Sequence, residues 1–361
     1  MDRPVFAIVL AAGEGTRMHS SRPKPLHRLC GRAMVRYVLD ALVEVEPTVT
    51  VVVVGHEATW VEKEISEHAG RSRLLFAHQE EQLGTGHAVG VALAVLGDRS
   101  PGDGDVVIVP GDAPLVRAAT VRDLVSRHRD ANAALTLLSA RVADPSGYGR
   151  VVRNRDGAPV RIVEERDASA DERAIDEVNT SMMVVRTDVL GPALRRVGRR
   201  NAQHQYYLSD LVEVLHDAGH VTRVVVLDDA HEASGVNDRR QLAAAEVELR
   251  RRINERWMAR GVTMWDPAHT YVDADVELAP DVSLLPGTML RGRCVVGRGA
   301  TVGPDAHLRN VVVGENARVS NVVATDARVG AGARVGPYAV LEPGAVVAAS
   351  QVVGAFEHRL G

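Results

Sequence analysis

The sequence predicts an α/β domain with a mostly parallel sheet, followed by a short left-handed parallel β-helix. In the first 240 residues, continuous apolar runs alternate with stretches of helical spacing, as in a parallel sheet covered by helices. Further along, an apolar residue recurs every six positions, which is typical of a β-helix. We therefore expect domains over residues 1–240 and 264–361, joined by a charged linker helix over 241–263.

Four apolar runs in the first part predict buried strands. They are rich in Val, Ile, Leu and Ala, and they occupy residues 5–12, 49–55, 72–78 and 106–110. Strands that are apolar on both faces are typical of parallel sheets buried between helices. Helical spacing over residues 33–45 predicts the first of these helices. Ligands in such sheets bind beyond the carboxyl ends of the strands, where the loops discussed below begin.

The six-residue repeat predicts the second domain. Apolar residues recur in three runs: from Val272 to Leu308, at Val313 and Val319, and from Val323 to Val353. Gly, Pro, Asp or Ala occupies most turn positions between them. Since three hexads make one triangular coil, we expect roughly four to five coils.

The composition excludes several classes of function. A net charge of −4 provides no basic surface for nucleic acid, and we expect no nucleic-acid partner. No apolar run is long enough to span a membrane, and no secretory signal is visible. Cys30 and Cys294 form neither a disulfide framework nor a metal-ligand spacing, so we expect a cytoplasmic protein with no membrane partner.

The loop after the first strand carries the pattern of an anion site. Gly13 and Gly15 let backbone N–H groups approach a phosphate chain, and Arg17 can bridge two phosphate oxygens. Lys24 lies between two prolines and is one of only two lysines among 43 basic residues, which favours a required lysine over the alternative of chance survival. The motif is neither a Walker loop nor a dinucleotide loop, because Met18 occupies the third glycine position.

The stretch LAAGEGTRM–SSRPKPLH at residues 10–27 resembles the signature of the sugar-phosphate nucleotidyltransferases. Within that family it is most similar to the N-terminal half of the bifunctional N-acetylglucosamine-1-phosphate uridylyltransferases/glucosamine-1-phosphate acetyltransferases. The resemblance continues as far as residue 266 in the family's order, and the hexapeptide β-helix that follows is also a family feature. Its further motifs are QEEQLGTGHA from Gln79, GDAPL from Gly111, GYGR from Gly147, IVEERDA from Ile162, EVNT from Glu177, NAQHQYYLSD from Asn201, GVNDR from Gly235 and RINERWMARGVTMWD from Arg252.

The resemblance implies a Rossmann-like nucleotidyltransferase domain and a reaction. The phosphate of a sugar 1-phosphate attacks the α-phosphorus of a nucleoside triphosphate, and pyrophosphate leaves. Arg17 and Lys24 would neutralise the triphosphate, while Asp112 and Asn237 match the ligands of Mg²⁺, the implied cofactor. On this basis the catalytic residues are Arg17, Lys24 and Asp112. Asp112 could instead stabilise a turn, and Asn237 could instead cap a helix.

The resemblance also implies the substrate contacts. Gln79 suits uracil or thymine, because its amide both donates and accepts, but it does not exclude a purine. Gln79 could alternatively be a surface residue and Glu164 a solvated one, while His87 is interpreted as structural. The implied nucleotide-binding residues are Leu10, Ala11, Ala12, Gly13, Gly15, Thr16, Gln79, Gly84 and Thr85. The implied sugar-binding residues are Gly149, Glu164, Asn179 and Thr180.

The sequence departs from the family pattern in the β-helix. The repeats stop at residue 361, before the part that carries the acetyl-transfer site in the bifunctional enzymes. Val340 and Glu342 occupy positions where the family pattern has arginine. We therefore expect no acetyltransferase activity. The remaining coils are expected to assemble the chain into a homo-oligomer, namely a trimer, because such β-helices usually associate in threes.

Departures in the sugar-site motifs leave the substrate open. Ser181 and His204 replace family glycines, and Met182 and Met183 follow where a more polar or aromatic pattern is usual. The first hypothesis is UTP with N-acetylglucosamine 1-phosphate. The second is a paralogue that activates another sugar or cyclitol phosphate in secondary metabolism, with GTP or dTTP as an alternative donor. A third, a non-catalytic scaffold, is disfavoured by the intact Arg17, Lys24, Asp112 and Asn237.

Overall fold

The computed structural model of the protein describes residues 3–55, 57–66, 73–97 and 103–361. The chain divides into two compact units. The first contains the chain up to His27 and residues 33–242, and the second contains residues 28–32 and 243–361. The domain limits drawn from the sequence stay a prediction beside this division.

The first unit is built on a nine-stranded mixed sheet in which most of the central strands are parallel. The order along the sheet is β11-β7-β10-β6-β1-β4-β5, with β8 and β9 attached to β10. Strand β1 is parallel to β4 and β6, whereas β10 is antiparallel to β6 and β7. The strands are β1 Val5–Leu10, β4 Val49–Val54, β5 Arg73–His78, β6 Asp105–Pro110, β7 Leu135–Arg141, β8 Arg150–Arg153, β9 Pro159–Val163, β10 Glu177–Arg186 and β11 Thr222–Val226. The four predicted strands are present, although residue 72 lies outside the described residues.

Helices cover both faces of this sheet, which confirms the predicted α/β architecture. Alternate residues of β1 face opposite layers, so Phe6 and Ile8 pack in one core and Ala7 and Val9 in the other. Helices α3, α6 and α7 cover the first face, and α1, α2 and α4 cover the second. The helices are α1 Met34–Leu42, α2 Ala58–Ser66, α3 Thr85–Leu96, α4 Ala118–Asp130, α5 Ala170–Arg173, α6 Thr187–Leu194, α7 Leu211–Asp217 and α8 Arg239–Met258. No helix among the described residues is both long and apolar enough to cross a bilayer.

The second unit contains the predicted left-handed β-helix. Its short strands stack in parallel into three sheets of six, six and five strands. One inward side chain from each rung fills the axis, as with Leu290 and Val302, which are fully buried. The strands are β12 Thr263–Met264, β13 Tyr271–Val272, β14 Glu277–Leu278, β15 Ser283–Leu284, β16 Met289–Arg291, β17 Val295–Val296, β18 Thr301–Val302, β19 His307–Arg309, β20 Val312–Val313, β21 Arg318–Val319, β22 Val323–Thr325, β23 Arg328–Val329, β24 Arg334–Val335, β25 Val340–Leu341, β26 Val346–Val347, β27 Val352–Val353 and β28 His358–Arg359.

Two details of the predicted repeat are wrong. Two faces carry six strands, more than four to five coils provide, because β12 precedes Val272, where the regular spacing begins, and β28 follows Val353, where it ends. The position predicted at Val323 is also wrong, since Val323 is 53% exposed and Ala324 is buried. Ala324 pairs with Leu308 of the rung below, and it follows the inward Val319 after five residues rather than six. A shortened turn thus places the smaller side chain inside.

Residues 28–32 belong to the second unit although they are distant in sequence from the rest of it. They form most of a short hairpin of β2 Arg28–Leu29 and β3 Arg32–Ala33. The backbone N–H of Cys30 donates to Glu246 Oε2 at 2.7 Å, and its carbonyl accepts from Ala274 N at 2.9 Å. Arg32 forms an ion pair with Asp275. These contacts, rather than any local motif, attach the hairpin.

Candidate active site

A cavity of about 330 Å³ lies at the carboxyl edge of the parallel strands. The hydrogen-bond ladder continues beyond the strand ends, since Ala11 N donates to Val53 O, Gly111 N to Leu10 O and Gln79 N to Val54 O. This pairing holds the loops after β1, β5 and β6 together. Nine of the sequence-predicted residues line the cavity: Leu10, Ala11, Ala12, Gly13, Lys24, Gln79, Gly84, Thr85 and Asp112. Gly15, Thr16, Arg17 and Asn237 do not line it.

The loop after β1 is shaped around Gly15. This residue has φ +65°, and a Cβ there would lie 2.7 Å from Lys24 Cβ, so a side chain would collide with the lysine stem. Position 13 does not require glycine, because its φ lies outside the left-handed region and a Cβ there would meet nothing within 4 Å. Thr16 and Arg17 are exposed in the short helical turn that follows. The loop therefore requires one of its two glycines for backbone geometry.

Lys24, Asp112 and Asn237 come together at the mouth of the cavity. The Lys24 ammonium forms an ion pair with Asp112 Oδ2 and donates to Asn237 Oδ1 at 2.8 Å. Asp112 follows β6 directly, and its backbone carbonyl accepts from Val236 N at 2.8 Å, which brings the Gly235–Asn237 segment to it. Residues from three distant parts of the chain thus meet at one cation.

Asn237 is not the cap of the following helix. The Asp238 carboxylate accepts from Gln241 N at 2.8 Å, as an N-cap side chain does. The same hydrogen bond lowers the pKa of Asp238. The Gln241 side chain in turn accepts from Asn237 N at 2.7 Å. The Asn237 side chain is therefore left to face Lys24 and Asp112.

The oxygen donors at this cluster fit a magnesium ion. Asp112 and Asn237 place a carboxylate and an amide oxygen around one positive charge, and oxygen ligands of this kind are the ones Mg²⁺ prefers. Nowhere in the described ranges do three or more His, Cys, Asp or Glu side chains gather as a metal site. Two protein ligands suffice for an ion whose remaining positions are taken by water and phosphate.

Gln79 is buried at the base of the cavity, which contradicts the alternative of a surface residue. It is 6% exposed, and its Nε2 donates to Gly84 O at 3.1 Å and lies 3.0 Å from His87 Nδ1. Gly84 has φ +111°, and a Cβ there would lie 2.5 Å from Tyr206 O, so only glycine fits. Gln82, which the sequence analysis did not single out, also lines the cavity and donates to Ala12 O at 2.8 Å.

A second cavity of about 200 Å³ adjoins the first and contains part of the predicted sugar site. Glu164 and Asn179 line it together with Ser181, Tyr207 and Ser209, of which Tyr207 and Ser209 were missed although they lie in a quoted motif. The Ser209 hydroxyl donates to Glu164 Oε1 at 2.8 Å. Four residues line both cavities: Leu10, Thr85, Ser181 and Gln205.

Two predicted sugar contacts do not line this second cavity. Thr180 is buried, and its hydroxyl donates to Leu138 O at 2.8 Å. Gly149 lies behind Glu164: a Cβ there would come within 3.2 Å of both carboxylate oxygens. Gly149 therefore gives Glu164 its space, and Thr180 fixes β10 against β7.

Comparison with known proteins agrees with this geometry. Residues 7–182 match the family of MobA-like NTP transferase domains. The chain is 47% identical over 332 residues to the bifunctional protein GlmU of Thermobifida fusca, covering 91% of this chain and 68% of that protein. The chain belongs to the GlmU family. GlmU of Halalkalibacterium halodurans is 42% identical, over 90% of this chain and 70% of its own, and that of Shouchella clausii is 40% identical, over 91% and 78%.

Membership of the GlmU family confirms the resemblance, and the protein is a sugar-phosphate nucleotidyltransferase. The structure shows the backbone conformation or burial of each residue that departs from the family pattern. Ser181 and His204, which replace family glycines, have φ +61° and +53°, so each keeps a glycine-like backbone but adds a side chain. Met182 and Met183 are buried in the two cores on opposite sides of the sheet. Met183 also lines the second cavity, so Ser181 and Met183 are the departures that alter the cavities.

Carboxyl groups near the second cavity have raised pKa values. Burial raises the pKa of Glu164, against the hydrogen bond from Ser209. Burial, together with Glu213, Glu164 and Asp167, raises the pKa of Asp210 to about 6. Carboxyl groups thus gather beside the second cavity, where a polyhydroxy ligand would need acceptors.

We predict that Asp210→Asn stabilises the protein in a pH-dependent way. A carboxyl whose pKa is higher in the folded state binds its proton more tightly there, so the free energy of unfolding falls as pH rises from about 4 to about 6. At pH 7.5 the variant should unfold on the order of 2–4 °C higher, and at pH 4.5 its advantage over the parent should be clearly smaller. The measurement is thermal unfolding by circular dichroism. Asp217→Asn, at an exposed residue of α7, is the control. If Asp210→Asn raised the unfolding temperature equally at both pH values, the raised pKa of Asp210 would be contradicted.

Proposed function

We propose that the protein transfers a uridylyl group from UTP to N-acetylglucosamine 1-phosphate and releases pyrophosphate. The observation that carries this proposal is the convergence of Lys24, Asp112 and Asn237 beside a cavity lined by the glycine-rich loop. Phosphoryl-type transfer depends on positioning and charge neutralisation, and this cluster supplies both. The family's bifunctional relatives support the choice of reaction.

The proposed mechanism needs no general base, because the attacking phosphate is already ionised. The backbone after β1 and the exposed Arg17 receive the triphosphate, and the Lys24 ammonium neutralises charge on the departing pyrophosphate. Asp112 and Asn237 would hold Mg²⁺, which when bound neutralises further phosphate charge. The contacts of Gln79 with Gly84 and His87 are both made by Nε2. Its Oε1 can therefore accept a hydrogen bond from the N3–H of uracil.

The acceptor would occupy the second cavity. Glu164 can accept from sugar hydroxyls while its other contact, from Ser209, fixes the carboxylate. Asn179 Oδ1 accepts from Ser181 N at 3.0 Å, which leaves its NH₂ group to donate to a hydroxyl or an acetamido oxygen. Gly149, Thr180, Gly15 and Thr16 contribute through backbone shape in this proposal. The volume of about 200 Å³ suits a single sugar ring.

A second candidate is a related reaction with another sugar or cyclitol phosphate, with GTP or dTTP as donor. Ser181 favours it, because its side chain stands on a left-handed backbone at the junction of the two cavities. His204 adds a second side chain in the neighbouring segment, on the same kind of backbone. Ser181 alters the space available to an acceptor without touching Lys24, Asp112 or Asn237, whereas His204 lies between two residues of the second cavity, Gln203 and Gln205, without lining it.

We further propose that the chain does not transfer acetyl groups and that it assembles as a cytoplasmic homotrimer. At one arginine position of the family pattern, Glu342 contacts His358 Nε2 at 2.9 Å, and a carboxylate there repels a sugar phosphate. The other position holds the apolar Val340. For assembly, Val295 and Val312 lie exposed on adjacent strands of one face of the β-helix, and Val346 lies exposed on the same face beyond Arg328, a partly apolar surface suited to a second copy.

Release of pyrophosphate from a substrate panel tests the main proposal. With Mg²⁺ present, UTP with N-acetylglucosamine 1-phosphate should be faster than any pairing that includes GTP, dTTP or another sugar or cyclitol phosphate. Acetyl-CoA with glucosamine 1-phosphate should release no coenzyme A. Faster turnover with a different pair would instead establish the second candidate, and light scattering of the same sample would test the trimer.

We predict that Lys24→Ala lowers kcat/KM by roughly 10²–10³-fold, because the departing pyrophosphate loses its nearest ammonium. Pyrophosphate release measures the rate, and circular dichroism checks that the fold is intact. Lys63→Ala is the matched control, since it removes the chain's other lysine from the exposed face of α2. A near-normal rate in Lys24→Ala would overturn the role given to Lys24.

We predict that Ser181→Gly changes acceptor preference. Removing the side chain enlarges the junction of the cavities, so the ratio of kcat/KM between bulky and small acceptors should change roughly 10-fold. Ser350→Gly is the control: Ser350 also has a left-handed backbone, with φ +57°, but lies in the β-helix. Both variants relieve backbone strain and should unfold at slightly higher temperature. An unchanged preference in Ser181→Gly would remove Ser181 from the specificity determinants.

A further inference from the structure

A third cavity, of about 550 Å³, lies between α3 and α6, on the side of the Leu83–His87 segment away from the nucleotide cavity. It is larger than either substrate cavity. Its walls are mostly apolar, with Leu83, Leu93, Leu194, Val197 and Tyr206 as the larger side chains. None of the residues assigned to catalysis or substrate binding lines it.

Glycines keep this cavity open. Gly90 in α3 faces open space, since a Cβ there would meet nothing within 4 Å. At Gly191 in α6 the nearest atom to a Cβ would be Arg195 NH1, at 3.8 Å. Glycine within a helix is less favourable than alanine, and neither position needs glycine to avoid a collision or to reach a left-handed backbone. Neither packing nor backbone conformation therefore requires glycine at these two positions, where glycine leaves the space between the helices open.

The rim of the cavity is cationic. Arg195 lines it and has no carboxylate partner in the described part of the chain. Arg199 lies over the Tyr206 ring, with its guanidinium carbon 5.6 Å from the ring centroid. An apolar body with an anionic head would match both the walls and the rim.

The wall of this cavity is also the wall of the nucleotide cavity. Tyr206 N donates to Leu83 O, and Gly86 N donates to Tyr206 O, both at 2.8 Å. His87, on the same segment, holds Gln79 at 3.0 Å. Gly84 and Thr85 face the nucleotide cavity, while Leu83, Gly86 and His87 face the third one. A ligand that presses on Tyr206 or Leu83 therefore acts on the segment whose Gly84 and Thr85 line the nucleotide cavity.

We propose that this cavity is an effector site for a small amphipathic carboxylate, and that its occupancy orders the Leu83–His87 segment of the nucleotide site. The apolar body lies against Leu83, Leu93 and Tyr206, and the carboxylate pairs with Arg195. The site regulates the enzyme without sharing any substrate contact, so it does not depend on which sugar or base the enzyme uses.

Isothermal titration calorimetry with octanoate tests the site in the full chain. Octanoate should bind at one saturable site, and 1-octanol, which lacks the charge, should bind at least 10-fold more weakly. Gly90→Leu fills the space and should abolish binding, whereas Gly198→Leu should not, because Gly198 has equally open surroundings but does not line the cavity. Arg195→Gln should weaken binding at least 10-fold, and Arg196→Gln, whose residue faces a different cavity, should leave it unchanged.

Hydrogen exchange tests the coupling without any nucleotide. Saturating octanoate should slow amide exchange in peptides covering residues 79–88 of the parent protein and of Arg196→Gln, but not of Gly90→Leu. The proposal is overturned if octanoate does not bind saturably, or if Gly90→Leu and Arg195→Gln bind it as the parent does. Binding without slower exchange would overturn the coupling. None of these results depends on the proposed reaction.

Discussion

The parallel pairing of β1 with β4 on one side and β6 on the other is the constraint on which the nucleotide site depends. Leu10 pairs with Val53 and with Pro110, so these strands end at one level. The hydrogen bonds of Ala11 N and Gly111 N extend that pairing into the loops. A slip of one residue between β1 and β6 would move Asp112 by about 3.3 Å relative to the glycine-rich loop and reverse its face. The contact between Asp112 and Lys24 would then be lost.

Several residues in or near the two substrate cavities of the first unit have a left-handed backbone. Gly15 and Gly84 take left-handed conformations at positions where a Cβ would collide with Lys24 or Tyr206. Ser181 and His204 take similar conformations as non-glycine residues, at a cost of roughly 1 kcal/mol each. Ser181 also lies where the pairing of β10 with β7 is interrupted, between Asn179 and Met183. The irregular segment turns Asn179 and Ser181 toward the cavity while Thr180 binds the backbone of β7.

The sequence predicted the elements whose pattern is local. Apolar runs identified the strands, and the six-residue spacing identified the β-helix, because each reflects burial of every strand or rung. Prediction from the sequence failed where contacts between distant residues determine the local structure. The repeat predicts Val323 as an inward residue, but pairing with β19 places Ala324 beside the inward Leu308. Residues 28–32 belong to the second unit because of contacts with Glu246 and Ala274, which are distant in sequence. The third cavity depends on two helices that are also far apart in sequence. Neither feature therefore has a local sequence signal.

The surroundings of Lys24 favour lysine over arginine at this position. Its stem packs where a Cβ on Gly15 would intrude, so the side chain must be slender near the backbone. Its ammonium is shared between Asp112 and Asn237, two oxygens that approach one point rather than a plane. Arginine, with a broad planar group, suits paired oxygens of one carboxylate or phosphate and would fit this arrangement poorly. A chain that uses arginine for nearly every other cation therefore keeps lysine where a compact charge must pass between a loop glycine and two oxygen ligands.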